Sequence, residues 1–175
     1  MRFSPKQTKW LKSLHLLAVA GWIGGAIALS TLHFLRFKGG EICADLHGID
    51  RAAHLIDMVV IVSLGAIGCL LTGLLYSLLT GWGFFRHKWI IVKWVITIFC
   101  ISSGILFLGP WETAMVTISG QLGGAALQDA EYLSNMYLNF WFGILQICLL
   151  IFALFISVFK PWKKYPPSQH IADSS

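Results

Sequence analysis

Charge is scarce in this chain. Of 175 residues only 12% are Asp, Glu, Lys or Arg, while 57% are hydrophobic. A soluble domain of this size cannot hide that much apolar side chain. A soluble globular protein is therefore excluded, and a polytopic membrane protein is implied, with lipid covering what a core cannot. Cysteine is scarce too. Of the four, Cys69, Cys100 and Cys148 lie inside apolar stretches as small hydrophobes and Cys43 stands alone in a polar one, so there is no disulfide framework. There is no Cys-x-x-Cys-His, which excludes covalent c-type haem attachment. Only four methionines occur, with no Met-x-x-Met ladder of the kind that would suit a Cu(I) path. The net charge of +5 sits at the ends of apolar stretches and is no nucleic-acid footprint. No small-residue cleavage site follows the first apolar stretch, so that stretch is expected to stay as an anchor.

What is present is four apolar spans, at about 11–37, 54–80, 89–108 and 132–159, each at least as long as the ~20 residues that cross a bilayer. Ser4-Pro5 suits the start of the first helix. Residues 36–51 read as a polar loop. Gly109-Pro110 reads as the stop of the third span, followed by a loop over 113–131 with no Lys or Arg. The tail, 161–175, reads as disordered and cytoplasmic. Four spans with short loops predict an all-α, antiparallel up-down bundle of four transmembrane helices forming a single membrane domain over 1–160.

Lys and Arg set the orientation. Arg2, Lys6, Lys9, Lys12, Arg86, Lys88, Lys93, Lys160, Lys163 and Lys164 fall on one side; Arg36, Lys38 and Arg51 fall on the other. Both termini are expected in the cytoplasm, in a multi-pass protein of the cell (inner) membrane. Trp10, Trp82, Trp89, Trp111, Trp141 and Trp162 lie near span ends, where aromatic belts form.

Each span carries one polar or small-residue face. The first brings His15, Trp22, Gly25 and His33 to one side. His15 and His33 are 18 residues apart, which is five turns or ~27 Å. The second aligns His54, Asp57, Gly68, Thr72 and Tyr76; the third Lys93, Thr97, Cys100 and Gly104; the fourth Asn139, Gly143, Gln146 and Ser157. Thr72, Asn139 and Gln146 read as interhelical hydrogen-bonding groups. Lys93 either snorkels to the headgroups or faces inward as a counter-ion for an anionic ligand group.

Histidine inside a span is a functional hypothesis. A neutral imidazole is a good iron ligand, and a four-helix interior offers a dry slot for a porphyrin. Gly21, Gly24, Gly25 and Ala26 would let a flat macrocycle approach the backbone. His15 is the first candidate axial ligand, with Lys93 pairing a propionate. His33 and His54 would serve a second haem and are expected to form a polar cluster with Asp57. His47, His87 and Asp57 are weaker metal-ligand candidates, and Asp50 or Asp57 would orient an imidazole through its second nitrogen. Copper is the alternative, captured by His33, Cys43, His47, His54 and Met58.

The run His15-Leu-Leu-Ala-Val-Ala-Gly-Trp22-Ile-Gly24-Gly25 resembles the first-helix motif of the copper-resistance protein D (CopD) membrane domain. The stretches Leu71-Thr72-Gly73-Leu74-Leu75, Trp82-Gly83 and Trp89-Ile-Ile-Val-Lys93-Trp94 are similar to the second and third helices of the same superfamily. HemJ-type protoporphyrinogen oxidases resemble the chain more distantly, through a first-helix histidine and a third-helix lysine. The resemblance implies His15 as haem ligand and carries the lysine over to Lys93. The chain departs from it in having Ser30-Thr31-Leu32-His33 where HemJ-like sequences carry a Pro-Arg pair, and in lacking the additional spans of CopD proteins.

The expectation is thus a small membrane protein binding haem b, for electron transfer or porphyrin-linked redox chemistry. Were it an enzyme, it would be a haem-dependent membrane oxidoreductase. Besides the bilayer, its partner would be a quinone or another membrane redox protein, with self-association left open and no nucleic acid. Copper handling, or a non-catalytic membrane subunit, is the competing reading.

Overall fold

A computed structural model of the protein describes residues 3–36, 45–79 and 88–160. Ser4 opens helix α1 (Pro5–Leu35): its side chain accepts from the Gln7 N–H at 3.3 Å while Gln7 Oε1 accepts from the Ser4 N–H at 2.9 Å, with Pro5 at the first turn. Helix α2 (Leu46–Leu79) follows, with a π-helical middle over Asp57–Ile67. Helix α3 (Lys88–Gln128) has a π-helical turn at Gly104–Leu108 and a 3₁₀ end at Gly123–Gln128. Helix α4 (Ala130–Phe159) is capped by Asp129, whose carboxylate accepts from the Tyr132 N–H at 2.8 Å.

Two boundaries differ from expectation, each for a local reason. Helix α2 begins two turns before His54, because Asp45 caps it through the Gly48 N–H at 2.9 Å. Gly48 is what permits this, since a Cβ there would run into the Asp45 carboxylate. Gly109-Pro110 does not stop α3. The π turn over Gly104–Leu108 widens the helix just before Pro110, and the Gly109 N–H reaches back to Gly104 O. A wider turn relieves the collision of the proline ring with the preceding carbonyls. Asn139 from α4 donates to Leu108 O at 3.3 Å, supplying a donor from a neighbouring helix. The chain therefore stays helical through most of the expected 113–131 loop, until Gly123 (φ 54) turns it into the left-handed region. Residues 37–44, 80–87 and 161–175, with Cys43, Trp82, His87, Trp162 and the tail, lie outside the described residues.

The fold is an all-α four-helix bundle, and all four helices are long and apolar enough to cross a membrane. Neighbours run antiparallel. Between α1 and α2 the contacts pair His15 with Thr72, Trp22 with Gly65 and Arg36 with Asp50; between α3 and α4 they pair Trp89 with Lys160 and Cys100 with Gln146. At 1.5 Å per residue the helices reach ~45–60 Å against a hydrocarbon layer of ~30 Å. The bundle accordingly has two cores. One joins Ala18, Trp22, Ile61, Cys69, Ile96, Cys100 and Leu150 between all four helices. The other, at the end away from the termini, joins Leu46, Met115, Ala126, Tyr132 and Met136. Leu17, Val95, Ile105 and Phe152 face outward, as a lipid-covered surface requires.

Candidate functional site

The expected polar faces turn inward, but they sort into two separate places. Near the termini, the first half of α3 packs chiefly on α4 and leaves a gap beside the last half of α2. That gap is a cavity of about 300 Å³ lined from all four helices, at the small end of the ~300–1,000 Å³ usual for ligand sites. His15, Trp22 and Lys93 all line it, together with Lys12 and the aromatic residues Tyr76, Trp89 and Trp94. The wall is mainly apolar with a few polar groups, as small-molecule sites generally are. His15 is half-buried, and its Nδ1 lies 2.8 Å from Thr72 Oγ1. Its ring rests over Gly73, whose Cβ, if present, would meet Cε1 at 3.9 Å.

Gly25 does not reach this cavity. The space a Cβ would need there is filled by Ile61 and Val60, and that at Gly21 by Leu64. These glycines serve close packing of α1 on α2 rather than the approach of a macrocycle. The glycine that lines the cavity is Gly73.

The second polar region lies between the two cores. His33 and Asp57 line a small cavity of about 50 Å³ there, beside Ser30, Arg36 and Asn139. The Asp57 and Glu112 carboxyls face one another here. His54 Nδ1 lies 3.7 Å from Glu112 Oε2, too long for a hydrogen bond, and is buried with no partner among the described residues. His33, Asp57 and, through Glu112, His54 thus belong to one polar region. It is no second haem slot: His33 is stacked on Phe140 at 4.1 Å between ring centroids, and 50 Å³ suits a few waters rather than a porphyrin.

In this region Asp50 plays a different part from the expected one, and Glu112 and Tyr132 have no counterpart in the sequence reading. Asp50 does not orient an imidazole. It accepts from Arg36 Nε at 2.9 Å and from the Tyr132 hydroxyl at 3.0 and 3.2 Å. Glu112 was hidden by reading Gly109-Pro110 as the end of a span, and Tyr132 by reading its surroundings as a loop boundary. His47 lies apart, 3.3 Å from Ser119 Oγ. Among the described residues no three His, Cys, Asp or Glu side chains come together to hold a metal ion. His33, His47 and His54 are thus not gathered into such a group, and Cys43 of the expected copper site lies outside the described residues.

The cavity near the termini brings together one imidazole, two lysines, aromatic walls and a glycine beside the imidazole, a donor set that would suit haem. No family model, no curated protein and no solved structure matches this chain.

Proposed function

We propose that this chain is a multi-pass protein of the cell membrane that binds haem b at the cavity near its termini, with His15 as axial ligand. The observation that carries the reading is the convergence of His15, Lys93 and Trp22 on one apolar-walled cavity of about 300 Å³. Lys12 and Lys93 pair with the propionates, and Trp22 closes the inner wall of the cavity. Bound haem supplies reversible one-electron transfer between its ferric and ferrous forms. His15, Lys12 and Lys93 would hold the haem and the apolar and aromatic wall would keep bulk water from it, with a quinone or another membrane redox protein as electron partner.

The termini face the cytoplasm, since ten of the 13 Lys and Arg residues fall on that side. The cavity then opens towards the cytoplasmic leaflet, and the Arg36–Asp50 region towards the opposite side. Reporter fusions at Ser175 test the orientation. Activity of a reporter that works only outside the cytoplasm overturns it.

The visible spectrum and metal content of the protein purified from haem-replete cells test the function. A Soret band with iron near one per chain supports the proposal. Copper without a Soret band supports copper handling, and neither cofactor supports a non-catalytic subunit.

A further inference from the structure

We infer that Thr72 is a positioning residue: it fixes His15 as the Nδ1–H tautomer and leaves the Nε2 lone pair for the cavity. The Thr72 hydroxyl has one proton and three neighbours. Gly68 O, four residues back, is the nearest, Cys69 O is 3.4 Å away, and His15 Nδ1 is 2.8 Å away. The two carbonyls can only accept, and a threonine in a helix commonly gives its proton to the i−4 carbonyl. The shorter contact, to Gly68 O, therefore holds the hydroxyl proton. The contact with His15 then needs its proton from Nδ1, because two lone pairs would otherwise face one another at 2.8 Å. A neutral imidazole carries one N–H, so Nε2 is bare. Among the described residues Thr72 is the one hydrogen-bond partner of His15.

The consequence for haem rests on the function proposed above, whereas the tautomer does not. A hydrogen bond from the non-ligating N–H of an axial histidine raises the basicity of the ligating nitrogen. More donation from Nε2 favours ferric over ferrous iron and lowers the reduction potential. Thr72 thereby sets the potential without touching the ligand's iron.

The test uses the full chain in detergent in two forms. In haem-free protein labelled with ¹⁵N in histidine, His15 is assigned by loss of its signals in His15→Ala. The expected spectrum has a protonated Nδ1 and a bare Nε2, a preference lost in Thr72→Val and kept in Thr72→Ser. In the haem-loaded protein the midpoint potential rises in Thr72→Val and returns in Thr72→Ser, with haem content unchanged. A wild type carrying its proton on Nε2 overturns the inference even if Thr72→Val does not fold. Bound haem whose potential ignores Thr72→Val overturns the positioning role. Protein that takes up no haem yet shows the Thr72-dependent tautomer removes the haem reading and leaves the tautomer standing.

Discussion

Arg36 Nη2 lies 2.9 Å from Asp50 Oδ1, with 5% and 1% of the two side chains exposed. Asp50 sits at the start of α2 and Arg36 just past the end of α1, so the pair ties the end of one helix to the start of the next. Tyr132 brings α4 to the same carboxylate. Removing one partner leaves the other buried and unpaired, which costs roughly 3–5 kcal/mol. Asp50→Ala and Arg36→Ala are expected to destabilise by about that much, and Tyr132→Phe by roughly 1.5–3 kcal/mol as a lost bond to a charged group. Unfolding in mixed detergent micelles measures both. A loss below about 1 kcal/mol in Asp50→Ala would show the pair to be solvated.

Trp22 and Gly65 set the closest approach of α1 and α2. A Cβ on Gly65 would stand 2.8 Å from the Trp22 Cα and 2.7 Å from its Cβ. Backbone has to move to admit it, so Gly65→Ala is expected to cost roughly 1–3 kcal/mol as overpacking. Gly24, one residue from the buried face, has nothing within 4 Å of such a Cβ. Gly24→Ala should be neutral or stabilising by up to about 1 kcal/mol, since glycine is the poorer helix former. Equal effects of the two substitutions in the same unfolding assay would refute this packing account.

The Asp57 and Glu112 carboxyls face one another, and a hydrogen bond between them needs a proton, because a carboxylate only accepts. An amide in place of one carboxyl supplies a permanent N–H donor. Glu112→Gln is therefore expected to keep most of the stability, whereas Glu112→Ala loses roughly 1–3 kcal/mol through the unsatisfied partner. Parity of the two variants would mean that the two carboxyls are not coupled.

The four spans were legible because each is a long apolar stretch with few charges, and the inward side of α1 was legible from the spacing of His15, Trp22 and His33. What the sequence hides is register between helices. Thr72 read as interhelical glue, but nothing in its own helix says that His15 is the group it meets. The Arg36–Asp50–Tyr132 cluster was missed for a related reason. Arg36 and Asp50 are 14 residues apart in a stretch that reads as a polar loop, whereas the chain is helical from Leu46 on, capped by Asp45. Pro110 misled because a proline stops a regular α-helix, and the π turn before it has no simple sequence mark. Gly25 misled in the other direction: a small residue on the same face as a histidine fits a ligand or a helix equally, and here Ile61 fills the space.

The most direct test of the account is the haem content of His15→Ala and His47→Ala, purified side by side with wild type. His15 lines the 300 Å³ cavity with Lys93, while His47 lies apart against Ser119. Wild type and His47→Ala are expected to show the same Soret band per chain, and His15→Ala to lose it or shift it while still inserting into the membrane. An unchanged Soret band and haem content in His15→Ala would contradict the assignment of His15 as the ligand.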